Sequence, residues 1–185
     1  MEYLDIVDQE GNPTGETIER TIAHEKGIPH RTSHVWLVRE KQGKTQILLQ
    51  KRSQDKDSYP GHYDISSAGH IPAGCGYEES AIRELKEELG ISAGKEELVY
   101  CGKRQIFHDE IFYGKPFIDR QVSNVYYIER DLEEDRFQIQ KEELENVCWI
   151  NLKDCIHMVE NQTIKSCIAL EELYMVEKML SKERK

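Results

Sequence analysis

A chain of 185 residues with a formal charge of −10, 32% charged and 38% apolar residues, has the length and composition of one soluble globular domain. The acidic balance weighs against nucleic-acid binding, which needs a basic footprint, but not against small phosphorylated molecules whose charge a divalent cation offsets. No apolar run reaches bilayer-spanning length and the acidic N-terminus lacks a signal-peptide layout, so the expectations are no membrane partner and a cytoplasmic setting.

In chain order, "EYLDIVD" reads as a short strand and "QEGNPTG" as a turn. "TIERTIAHEKGI" is a short helix or a loop. "SHVWLVRE" and "TQILLQKRS" are strands rich in Val, Ile, Leu and Trp, joined through a glycine-containing hairpin turn at "KQGK". "SYPGHYDISSAGHIPAGCGYEE" is loop-rich, with four glycines and two prolines. A helix follows from about Glu78 to Leu89, and Gly90 stands where a left-handed C-cap belongs. "LVYCGKRQIFH" and "SNVYYIER" are strands, and "KEELENVCWINLKDCIHMVE" is a strand or turn entering a helix. The tail from Ile164 to Leu180 is amphipathic, with Ile168, Leu173, Val176 and Leu180 at helical intervals, and packs on its own domain or on a second copy. No repeat or linker interrupts this pattern. The expectation is one α+β domain over residues 1–185, with a helical C-terminal segment from about residue 152. The five cysteines, Cys75, Cys101, Cys148, Cys155 and Cys167, form no C-x-x-C pair and read as reduced, structural thiols.

The segment "RELKEELGI", residues 83–91, concentrates charge. At 3.6 residues per turn Ile82, Leu85 and Leu89 share one side of the helix, and Glu84, Glu87 and Glu88 cluster roughly opposite. Two readings stand: a solvated acidic face softened by Arg83 and Lys86, or a site for a hard divalent cation that offsets the repulsion.

The longer run "SAGHIPAGCGYEESAIRELKEELGI" resembles the Nudix box, G-x5-E-x7-R-E-U-x-E-E-x-G-U. Gly69, Arg83, Glu84, Leu85, Glu87, Glu88, Gly90 and Ile91 fall in register, while the first glutamate is replaced by Cys75. Most of residues 3–91 further resembles the N-terminal half of the isopentenyl-diphosphate isomerase-like branch of that superfamily, through "DIVDQEGNPTGETIERTIAHEKGIPHRTSHVWLV" and "LLQKRSQDKDSYPGHYDISSAGH". The resemblance implies a mixed sheet sandwiched between helices (α/β/α). It also implies hydrolysis of a diphosphate bond in a nucleoside-diphosphate-linked or related small molecule, with Mg²⁺ or Mn²⁺.

By the same resemblance, Glu87 and Glu88 are metal ligands, Glu84 is a ligand or base, and the Gly69 carbonyl adds a further ligand. Arg83 and Gly90 brace the helix. A general base from a later strand is sought at Glu110 or Asp109. Cys75 cannot replace a glutamate charge as a neutral thiol, which leaves the chain as an enzyme or as a nucleotide-binding module on the same scaffold. In the isomerases a catalytic cysteine precedes the Gly-His pair; here that residue is Ala68, which can neither give nor take a proton. The isomerases also bind metal through histidines. His24 and His30 are assigned a structural role because their spacing fits imperfectly, and His70, beside Gly69, is kept as a site residue. Lys51 and Arg52 are either a solvated strand end or phosphate contacts. Trp36 and Tyr59 are core aromatics or base-stacking groups. A homodimer is an open expectation.

Overall fold

The computed structural model describes residues 1–56 and 58–183. β1 (Tyr3–Val7) and β2 (Pro13–Glu19) form an antiparallel pair, followed by α1 (Arg20–Lys26). The main sheet comprises β3 (His30–Lys41), β4 (Lys44–Arg52), β5 (Tyr63–Asp64), β6 (Ser67–His70), β7 (Val99–Phe112), β8 (Lys115–Glu129) and β9 (Leu144–Asn151). α2 (Tyr77–Leu89) follows β6, and α3 (Leu152–Glu160) and α4 (Leu170–Glu183) follow β9. β3 and β8 run parallel at the centre; the other neighbours run antiparallel.

The period-2 pattern of the central strands explains the layering. Val35 and Leu37 of β3, Leu48 of β4 and Tyr126 and Ile128 of β8 pack with Ala81, Leu85 and Leu89 of α2. Their alternates Trp36, Val38, Ile47, Leu49, Val125 and Tyr127 pack with Cys155 of α3 and Leu173, Val176 and Leu180 of α4. The result is the α/β/α sandwich expected from the sequence, and the amphipathic tail covers its own sheet. The tail helix begins only at Leu170, so Ile168 is buried ahead of it, outside any helix or strand.

Three elements differ from the sequence expectation. "PTGETIE" is a strand, not part of a turn, although every side chain from Pro13 to Thr17 is exposed. The loop-rich stretch contains β5 and β6. On α2 the buried stripe is Ala81, Leu85, Glu88 and Leu89, with Ile82 only half-buried, so Glu88 lies on the packed side of the helix and not opposite it. Gly90 takes φ 72° and closes α2 as the sequence implies.

What positions the site is a split in the sheet. β3 pairs with β4 only from Val38 to Lys41, then turns away and pairs with β6 from Thr32 to Val35. The Ser66 hydroxyl fills the fork: Leu37 N–H donates to Ser66 Oγ at 2.8 Å, and Ser66 Oγ donates to the Leu48 carbonyl at 2.6 Å. Ser66→Ala would leave both backbone groups buried without a partner, a loss of about 1–3 kcal/mol. Urea unfolding is expected to register that loss at unchanged m-value; a variant as stable as wild type would show that the fork closes without the hydroxyl.

Candidate functional site

The split admits β6 between β3 and α2, and its Ala68-Gly69-His70 run borders an open cleft of about 1650 Å³. Glu84, Glu87 and Glu88 of α2 reach the same cleft. A β-carbon on Gly69 would collide with the Glu84 carboxyl, so the glycine is what lets that side chain lie on the β6 backbone. Glu88, 7% exposed, accepts the Ala68 N–H at 3.3 Å. Burial pushes its carboxyl up to about 8, with Ser67 pulling the other way. Burial likewise raises Glu84, against the Arg83 guanidinium at 2.6 Å. Arg83 also donates to the His70 carbonyl at 3.3 Å, so it links α2 to β6. Glu87 is exposed and stands 3.9 Å from Arg83.

The loop that carries Cys75 is held from outside. Arg31 donates to Asp5 at 2.7 Å and to the Cys75 carbonyl at 2.9 Å, and Gly74 N–H donates to Asp5 at 3.0 Å. The β1–β3 ion pair thus ties down the loop at Gly74 and Cys75. The Cys75 side chain is half-buried and does not line the cleft.

The histidines differ from expectation. Among the described residues, His24, His30 and His70 form the cluster whose ligand atoms all lie within 4.8 Å of one another; the glutamates of α2 form none. His24 Nδ1 faces the Arg20 carbonyl and His30 Nδ1 the Ile28 carbonyl, each at 2.9 Å. A carbonyl only accepts, so both Nδ1 atoms carry a proton, and both Nε2 atoms are turned to the cluster. Asp119 Oδ1 lies 3.5 Å from His24 Nε2 and 3.7 Å from His30 Nε2, oriented by Gln121 Nε2 on its other oxygen at 2.8 Å. His30 Nε2 and Asp119 Oδ1 are buried without a hydrogen-bond partner. Burial lowers His30, and lowers His70 well below the usual histidine range with the Arg20 charge adding to it. Three clustered imidazoles beside a carboxylate, with His30 Nε2 and Asp119 Oδ1 left unpartnered, fit a transition-metal ion. The structural role assigned to His24 and His30 is therefore not what their geometry favours. Spacing in sequence misses the cluster because its members come from α1, β3, β6 and β8.

The remaining site candidates are placed variously. Arg52 lines the cleft, but its Nη1 is on Asp64 at 3.0 Å and its Nη2 on the Ser58 carbonyl at 2.9 Å. Lys51 pairs with Glu145 at 2.9 Å, outside the cleft lining. Glu110 lines the cleft, whereas Asp109 points away to Arg120. Tyr59 lines the cleft edge-on to Phe112, 4.9 Å between rings, and Trp36 is fully buried core. At the far wall Glu172 of α4, 1% exposed, accepts from His34 Nδ1 at 2.8 Å and from Arg104 Nη1 at 2.7 Å. Burial alone would raise the Glu172 carboxyl, but His34, then Arg104, outweigh it and hold it at about 2. For His34 the order is the same: burial would lower it, and Glu172 raises it. No sequence signal marked these three residues, which lie far apart in the chain.

Comparison with known proteins agrees with this architecture. A family model described as the NUDIX domain matches residues 28–167. An uncharacterized Nudix hydrolase of Clostridium acetobutylicum is 37% identical over 161 residues, covering 87% of this chain and 75% of that protein. An isopentenyl-diphosphate Δ-isomerase of Shigella boydii is 26% identical over 160 residues, covering 86% of this chain and 82% of that protein. A crystal structure from Deinococcus radiodurans shares the fold, with a TM-score of 0.67 at 20% identity, covering 95% of this chain and 98% of the other.

The state of Glu88 predicts how stability varies with pH in metal-free protein. Its folded pKa, about 8, lies above its unfolded value of 4.5, so folding favours the protonated acid. Its contribution is complete below the unfolded value, falls as pH rises from there, and is exhausted above about pH 8. Unfolding in urea with a chelator present, across pH 5 to 9, is expected to show that decline in wild type and a much flatter profile in Glu88→Gln. Parallel profiles would mean the carboxyl is ionised throughout.

Proposed function

This chain belongs to the Nudix family and is a Nudix-type hydrolase, and on that premise we propose that it cleaves a diphosphate bond in a small molecule using Mg²⁺ or Mn²⁺ held on α2. The observation that carries the reading is the packing of Glu84 and Glu88 against Gly69 and Ala68 at the wall of the cleft. A divalent ion there would supply the positive charge that an anionic protein needs to hold a diphosphate, and would lower the pKa of a water. Glu84, Glu87 and Glu88, with the Gly69 carbonyl, are the ligands. Arg83 keeps Glu84 aimed at the Gly69 backbone through its own contact with the His70 carbonyl. Glu110, in the cleft, is the better placed of the two candidate bases; Asp109 is engaged by Arg120. The substrate is a nucleoside-diphosphate-linked or related small molecule, and the setting is cytoplasmic.

The His24, His30, His70 and Asp119 cluster supports a second metal position, one that suits Mn²⁺ or Zn²⁺ over Mg²⁺ because imidazole is its main donor. It also supports placing the chain in the isopentenyl-diphosphate isomerase-like branch. Isomerisation itself is not part of the reading, since Ala68 offers no proton.

A panel of nucleotide sugars, dinucleotides and coenzymes with Mg²⁺ and with Mn²⁺ tests this. Wild type is expected to release a phosphorylated product from at least one member, and Glu87→Gln to lose at least a hundredfold in rate without a change in unfolding midpoint. Equal rates in the two proteins would sink the metal role of α2, and tight nucleotide binding without turnover would favour a binding module. Co²⁺ titration gives an independent check on the histidines: a visible absorption band is expected in wild type and not in His30→Ala. Loss of the band without loss of fold would place the ion on that ring.

A further inference from the structure

One wall of the cleft has no part in that reading, and its explanation rests on it. The side chains of His30, Thr32, His34 and Trp36 alternate along one face of β3, leading from the histidine cluster to the core beneath α4. At the strand rise, His34 stands about 13 Å along from His30. It lies directly opposite Ala68, the residue whose N–H meets Glu88. His34 is on the α4 face of β3 and α2 on the other, but the α2 carboxylates and the His34 side chain line the same cleft where β6 enters the fork.

His34 and Arg104 are tied to one oxygen. Glu172 Oε1 accepts both, while its Oε2 faces Trp36 Nε1 at 3.3 Å. Arg104 Nε donates to Glu171 at 2.9 Å. That leaves His34 Nε2 and Arg104 Nη2 without a hydrogen-bond partner among the described residues, and both side chains line the cleft. Of the other arginines and lysines lining the cleft, the exposed Lys115 at the β7–β8 turn alone lacks a partner among the described residues. Arg52 uses Nε, Nη1 and Nη2 on Asp64 and Ser58; Lys56 pairs with Glu143, and Arg83 with Glu84. A buried ion network contributes little to stability compared with apolar packing of the same volume, so this one calls for another reason to exist. Two cations held by one buried carboxylate, with donors left toward the cleft, match the needs of a phosphate group.

We propose that Arg104 and His34 form an anion clamp for the phosphate oxygens of the bound diphosphate, on the wall facing the α2 carboxylates, and that Glu172 is the positioning residue that orients both. The clamp divides the labour of holding a diphosphate: the cation on α2 meets one side of it, the guanidinium and imidazolium meet the other. It also gives α4 a share in substrate binding. Arg52, the arginine that strand position suggests, then serves to fix the Ser58–Asp64 loop.

Methylenediphosphonate, which cannot be hydrolysed at its bridge, tests the clamp by calorimetry at fixed Mg²⁺, independently of turnover. Arg104→Met and His34→Gln are each expected to weaken its binding tenfold or more while the protein's affinity for Mg²⁺ alone stays within twofold. Glu172→Gln, which cannot reach the ligand, is expected to lose as much, and Arg104→Lys to recover part of the loss. A purely structural network would lower the unfolding midpoint and leave the diphosphonate affinity unmoved. Should Arg104→Met bind the probe as wild type does while Glu87→Gln loses it, the clamp is wrong and the hydrolase reading stands. Should wild type with Mg²⁺ bind no diphosphonate at all, the hydrolase reading fails and the clamp with it.

Discussion

The fork between β3 and β4 is the constraint on which the rest of the molecule depends. Were the two strands paired along their whole length, β6 would have no edge to join, and Gly69 would have no place beneath α2. The Ser66 hydroxyl makes the fork tolerable by supplying the hydrogen bonds that the parting strands give up. Once the fork is open, α2 packs over it with Leu85 and Leu89, and its acidic residues are carried to the β6 backbone. The site follows from a gap in a sheet.

Two buried glutamates on opposite walls of the cleft show what that gap does to charge. Glu172 is fully enclosed, yet two cations keep it ionised at about 2. Glu88 is nearly as enclosed and has an amide for company, so burial pushes it up to about 8. The difference is not exposure but the presence of a positive partner. Glu172 is electrostatically satisfied by the chain alone. Glu88 is not, and Glu84 beside it raises it further. A carboxylate pair left in that state is the arrangement a divalent cation relieves.

Much of this was legible in the chain because it depends on local periodicity. The apolar run "SHVWLVRE" marked β3 as a strand, and the helical spacing and resemblance over Gly69 to Ile91 marked α2, its cap and its acidic residues. β2 was not legible because it buries almost nothing: a hairpin edge with exposed side chains carries no hydrophobic pattern to read. Glu88 was misplaced because a three-residue apolar stripe leaves the flanking rows undetermined, and the polar fork accepts a carboxyl where a closed core would refuse it. The Glu172 network was invisible for a different reason, and of the histidine cluster the resemblance raised His24, His30 and His70 but not Asp119. His70 and Asp119 lie tens of residues from the first two histidines, as His34, Arg104 and Glu172 do from one another, and only the pairing of β3 with β6 and β8, and the docking of α4, brings them together. Lys51 and Arg52 looked free because their partners Glu145 and Asp64 belong to neighbouring strands or their turns.

α4 shows how packing and chemistry are joined in a protein that is acidic throughout. Its stripe of Leu173, Val176 and Leu180 is fully or almost fully buried, and burial of each such side chain stabilises by about 1.5–3 kcal/mol. Desolvating a carboxylate costs several kcal/mol even in a relaxed interior. The two magnitudes are comparable, so a helix with that stripe can carry Glu172 into the interior at its own first turn, where His34 and Arg104 meet it. An exposed glutamate would hold neither cation in place, since surface pairs are loosely coupled and screened. The negative charge that would repel a diphosphate at the surface is, once buried, the charge that orients cations toward it.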